Sequence, residues 1–213
     1  MMGLLILILG VALWSGAHLF KRLAPAARAN MGDKGRGPIA LAILGGIVLM
    51  VIGYRMADGA VLWGRSPAMV GINNLLMLLA VYLFAASGAK TAVARRMRHP
   101  MLGAVKIWAL AHLLVNGDVP SFVLFGGLLA WAVVEVILIN RATRTWTPPP
   151  PVPMRKEITA VVATVIVYVV LVAAHYALGY PTFGDQNQSG PVFRGLLRWR
   201  GHTPCRAAHG FGR

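Results

Sequence analysis

Six stretches of the chain run for 17 to 22 residues with almost no charge, and segments rich in charge, proline and glycine separate them. They lie at about 3–20, 38–57, 68–89, 101–117, 120–140 and 158–179. Each has the length that a helix needs to cross the hydrocarbon core of a bilayer, about 20 residues. Pro38, Pro67, Pro100 and Pro120 stand just before or in the first turn of a stretch, where the missing N–H of proline costs a helix nothing. The pattern predicts an all-α polytopic bundle of about six transmembrane helices.

The cations sort by loop. Residues 21–37 hold Lys21, Arg22, Arg28, Lys34 and Arg36. Residues 90–98 hold Lys90, Arg95, Arg96 and Arg98, and residues 141–156 hold Arg141, Arg144, Arg155 and Lys156. The second connection has only Arg55 and Arg65, and the fourth has no cation. By the positive-inside rule the first, third and fifth loops face the cytoplasm and both termini face outward. The fifth loop contains Pro148, Pro149, Pro150, Pro151 and Pro153, which read as a stiff polyproline spacer between the last two helices.

Composition agrees with this reading. The chain of 213 residues is 57% hydrophobic and 13% charged, against roughly a quarter charged for a soluble domain. The net charge of +15 resides in loops between apolar runs and not on a basic amphipathic face, so it argues for topology and against a nucleic-acid partner. The apolar N-terminus has no basic n-region and no cleavage site, which predicts a retained first helix. Cys205 is the single cysteine, and an internal disulfide or a thiolate cluster is excluded. The division expected is a membrane domain at 1–183 and a disordered basic tail at 184–213. Arg194, Arg198, Arg200, Arg206 and Arg213 place positive charge in that tail on the outward side. The conflict with topology suggests an out-of-frame extension, and a metal site at His202, Cys205 and His209 is disfavoured.

Ionisable groups inside a membrane are costly, which makes them candidates for function. On the fourth helix His99, Gly103 and Lys106 share one face, and Trp108, His112 and Asn116 another. Glu135 on the fifth helix is expected to pair with Lys106 or to hydrogen-bond near Arg98 and His99, because an unpaired buried carboxylate costs several kcal/mol. The equal alternative has it reaching toward Arg141 at the interface. His18 stands near the inner end of the first helix, between Trp14 and Arg22. His112 and His175 fall in the outer third of their helices, at the level of Asn73, Asn74, Asn116 and Asp118. Interfacial anchoring or interhelical hydrogen bonding is the simpler account of any one of them, whereas several imidazoles that project from two helices into a bundle core can hold haem iron. No phosphate loop, nucleophile elbow, His-Glu-x-x-His pair or carboxylate pair is present.

The segment from Arg98 through His99, Pro100, Gly103, Lys106, Trp108 and His112 to Asn116, Gly117 and Asp118 closely resembles the core of the NnrU family. Trp14-Ser15-Gly16-Ala17-His18 and Asn73-Asn74 support the resemblance, which extends over about residues 3–183. It implies a multi-pass protein of the bacterial inner membrane associated with denitrification and nitric oxide reductase activity, with that reductase or its assembly machinery as partner. The family is similar to zeta-carotene isomerase, a haem b enzyme. Carried over by motif, that likeness implies His18 and His112 as haem iron ligands. His112 with His175 is the better match in depth. The isomerase has a cysteine three positions before the helix-four histidine, where this chain has Ala109. An accessory, non-catalytic role is therefore favoured over haem-dependent isomerisation of an apolar polyene. Arg98-His99-Pro100 followed by Gly103 also looks like a motif of isoprenylcysteine methyltransferases, but the acidic and arginine motif downstream is missing.

Overall fold

A computed structural model describes residues 1–183; the expectations for the tail at 184–213, with His202, Cys205 and His209, fall outside the described residues. In chain order the elements are α1 (Met2–Leu23), α2 (Pro25–Asn30), α3 (Arg36–Met56), β1 (Val61–Trp63), α4 (Pro67–Ala89), α5 (Ala92–Arg96), α6 (Pro100–Val115), β2 (Gly117–Asp118), α7 (Val119–Ser121), α8 (Gly127–Ala142) and α9 (Met154–Ala177). A turn of π-helix, Phe122–Gly126, joins α7 to α8. Five continuous helical segments are long and apolar enough to cross a membrane: Met2–Leu23, Asp33–Met56, Pro67–Ala89, Val119–Ala142 and Met154–Ala177. Helix α6, at 16 residues, is about 24 Å long against a hydrocarbon core of about 30 Å.

Glycine spacing joins α1 to α3. Gly3 and Gly10 stand seven residues apart on α1, as Gly46 and Gly53 do on α3, which puts each pair on one stripe of its helix. A Cβ on Gly10 would lie 2.6 Å from the backbone nitrogen of Met50, and one on Gly46 would lie 2.7 Å from the Cβ of Trp14. Where lipid supplies no hydrophobic drive between helices, such close backbone approach is what holds them together. Leu7 sits over Gly53, fully buried, and packs with Met50 and Leu128 of α8.

Helix α6 was expected to run to 117 but stops at Val115, and the residues beyond it form β2, antiparallel to β1. The indole of Trp63 explains the stop. Its Nε1 donates to the carbonyls of Leu113 and Leu114, each at 3.3 Å, and so covers acceptors that a helix C-terminus leaves unpaired. Gly117 lies flat against this indole: a Cβ there would be 2.5 Å from ring carbons. Asp118 then accepts from the Ser121 N–H at 2.8 Å and caps the next helix.

The loops bearing thirteen of the cations gather at the end of the bundle opposite this ribbon. There Arg98 donates to the carbonyls of Thr143 and Arg144, Arg95 donates to Pro149 O at 2.9 Å, and Glu157 accepts from Ala92 N–H at 2.7 Å. The polyproline stretch is thus an extended spacer fastened across this face. At the opposite end Arg65 donates to Pro181 O at 3.0 Å and Asn74 to Thr182 O at 3.1 Å, which ties the segment after α9 to α4.

Candidate functional site

Two groups of aromatic and polar side chains meet α8 and the π turn, at different depths. The deeper one on the basic side belongs to the parallel seam of α1 and α8, where the register repeats every four residues or so. Val11 meets Gly127, Trp14 and His18 meet Trp131, and Arg22 meets Glu135. The rings of Trp14 and His18 lie 4.0 Å apart, and Trp131 stands edge-on to both at 4.5 and 5.2 Å. Glu135 Oε1 accepts from Arg22 Nε at 3.3 Å. Ser15 Oγ, Trp131 Nε1 and Glu135 Oε2 are buried and have no hydrogen-bond partner among the described residues.

The second group surrounds His112 on α6. Its ring is stacked on Phe125 of the π turn at 4.6 Å and 27°, with Trp108 at 5.0 Å and His175 of α9 at 6.4 Å. Phe125 also meets Trp108 and Tyr54, and the Tyr54 hydroxyl is 2.8 Å from Ser121 Oγ. Asn116 donates to the carbonyl of His112 at 2.8 Å. The π turn widens the helix by accommodating one extra residue, and this brings Phe125 onto the imidazole.

All three membrane-embedded imidazoles share one local device. Nδ1 of His18, His112 and His175 lies 2.9, 2.9 and 2.7 Å from the carbonyl of the residue four positions earlier. A carbonyl can only accept, so in the neutral ring Nδ1 carries the proton and Nε2 keeps the lone pair. This is the form in which histidine ligates a metal, with the backbone contact fixing the tautomer.

The donor set does not suit zinc. Among the described residues no group of three or more His, Cys, Asp or Glu side chains converges, whereas a structural zinc asks for four ligands and a catalytic one for three. His112 and His175 are the two imidazoles that lie near each other, with ring centres 6.4 Å apart. His18 is not with them. It meets α8 at Trp131 while His112 meets Phe125, and six residues of helix amount to about 9 Å of depth.

The remaining intramembrane polar residues do not form one cluster. Glu135 pairs with Arg22, not with Lys106 or the Arg98–His99 segment as the hairpin depth suggested, and it is buried and does not reach toward Arg141. The reason is topological: α8 packs on α1 as well as on α6, and α1 brings Arg22 to the carboxylate, a pairing that a depth match between consecutive helices does not consider. Lys106 makes no ion pair among the described residues. His99 donates to Asn140 Oδ1 at 2.8 Å, so Arg98 and His99 tie α6 to the end of α8. Asn73 is buried, with Nδ2 3.5 Å from Asn74 Oδ1 and with its own Oδ1 lacking a partner among the described residues. Trp131 and Phe125 went unnoticed in the sequence; their spacing to His18 and His112 exists only in the fold.

The family model described as NnrU protein matches residues 6–182. No curated protein and no solved structure matches the chain.

Proposed function

From the premise that the chain belongs to the NnrU family, we propose that it is a haem-binding accessory protein of nitrogen-oxide respiration, with His112 and His175 as the iron ligands. The observation that carries the haem reading is the imidazole pair 6.4 Å apart, with both Nδ1 atoms engaged by backbone carbonyls and both Nε2 lone pairs left over. Haem b held there by two imidazoles would supply one-electron chemistry. The protein contributes the rest. Phe125 stacks on the His112 ring and Trp108 lies beside it, which holds its orientation. Asn116 steadies the last turn of α6. The respiratory role, in the bacterial inner membrane and beside nitric oxide reductase or its assembly machinery, rests on the family.

The test is the spectrum of the purified protein. A Soret band and a b-type haemochrome are expected for the native chain and for His18→Ala, and a loss of haem for His112→Ala and His175→Ala. Native protein without haem after expression with excess haem would remove the reading. Haem lost in His18→Ala and kept in His175→Ala would transfer the second ligand to His18.

A further inference from the structure

The glycine contacts that close α1 on α3 do not continue to the basic end of the pair. Gly3, Gly10, Gly46 and Gly53 are all pressed against the partner helix, but a Cβ on Gly16 or Gly37 would meet nothing within 4 Å. Between the two helices there runs an open apolar groove of about 360 Å³, lined by Leu13, Gly16, Phe20, Pro38, Ile39 and Ala42. From Leu13 to Phe20 it extends about 10 Å along α1, roughly a third of the hydrocarbon thickness. It leads into a second recess of about 320 Å³ that shares Ala17 and Ile39 with it and is rimmed by Lys21, Arg28 and Arg36.

We propose that this compound groove binds one anionic diacyl phospholipid from the leaflet on the basic side, its phosphate on Lys21, Arg28 and Arg36 and an acyl chain along Gly16. Charge selects the occupant. Three cations face one carboxylate: Arg36 is 3.0 Å from Asp33, and Arg28 donates to Gly32 O at 2.9 Å while remaining at the rim. Guanidinium groups suit phosphate oxygens geometrically, and cationic recesses between helices at the interface are where anionic headgroups settle. The apolar lining beneath suits an acyl chain attached to the phosphate, which free inorganic phosphate lacks. Ala17 and Ile39 belong to both recesses, so headgroup and chain are held by one continuous surface.

The test is native mass spectrometry of the full chain released from nanodiscs of equal phosphatidylglycerol and phosphatidylcholine. One phosphatidylglycerol is expected to stay bound in preference to phosphatidylcholine. Gly16→Leu fills the groove from a position with free space, and the pair Lys21→Gln with Arg28→Gln lowers the charge while keeping Arg22, Lys34 and Arg36. Each interfacial cation contributes about five-fold, so retention should fall more than about ten-fold in the charge pair and comparably in Gly16→Leu, with helicity by circular dichroism unchanged in both. Equal retention of the two lipids by the native chain overturns the proposal. So does a loss confined to only one of the two variants.

Discussion

Removing the Arg22 guanidinium should destabilise this protein more than removing the carboxylate it holds. The two side chains meet at 3.3 Å, with Arg22 30% exposed and Glu135 9%. At an effective dielectric constant of about 20 a pair at this distance attracts by about 5 kcal/mol. That is an upper bound, since Arg22 is partly screened and the contact is single and not bidentate. A coupling of about 1–3 kcal/mol is the realistic range. The asymmetry comes from what remains. Arg22→Gln leaves a carboxylate whose second oxygen already lacks a partner among the described residues, at an expected cost of about 2–4 kcal/mol. Glu135→Gln leaves a guanidinium that can reach the interface, at about 1 kcal/mol. Reversible unfolding by SDS in mixed micelles, followed by the fluorescence of nearby Trp14 and Trp131, measures both single variants and the double. Additive effects with a coupling below about 0.5 kcal/mol, or a costlier Glu135→Gln, would refute the reasoning.

Two further outcomes follow from the packing. Gly10→Ala sets a Cβ against the backbone of Met50 and should cost about 1–3 kcal/mol in the same assay, whereas Gly16→Ala should lie within about 0.5 kcal/mol of the native chain. Tyr54→Phe removes the hydroxyl that meets Ser121 and should cost about 0.5–1.5 kcal/mol, with the Soret band unaltered because the ring against Phe125 is kept.

The spans were legible because lipid imposes length and apolarity on every helix separately, so Pro38, Pro67, Pro100 and Pro120 could mark their starts without knowledge of neighbours. The depth of His112 and His175 could be read in the same way, and the structure does set their rings side by side. What failed was adjacency between helices distant in the chain. Glu135 was matched to residues on the preceding helix, since a hairpin fixes only that register; the parallel seam that gives it Arg22 joins the first and fifth spans. The seven-residue spacing of Gly3, Gly10, Gly46 and Gly53 is visible in the sequence, yet spacing alone does not say that the two stripes face each other. The β1–β2 ribbon was hidden because Gly117 and Asp118 read as a turn, and only Trp63 folding back onto α6 makes them a strand.

The π turn at Phe122–Gly126 resets the angular phase of the fifth span. On an unbroken α-helix every residue advances about 100°, so the direction of Phe125 would dictate those of Trp131 and Glu135. The wide turn takes up one surplus residue, so that Phe125 can lie on His112 of α6 while Trp131 meets Trp14 of α1. A single span thereby carries one aromatic ring into each of the two groups, and a deletion in the wide turn would rotate one ring away from its partner.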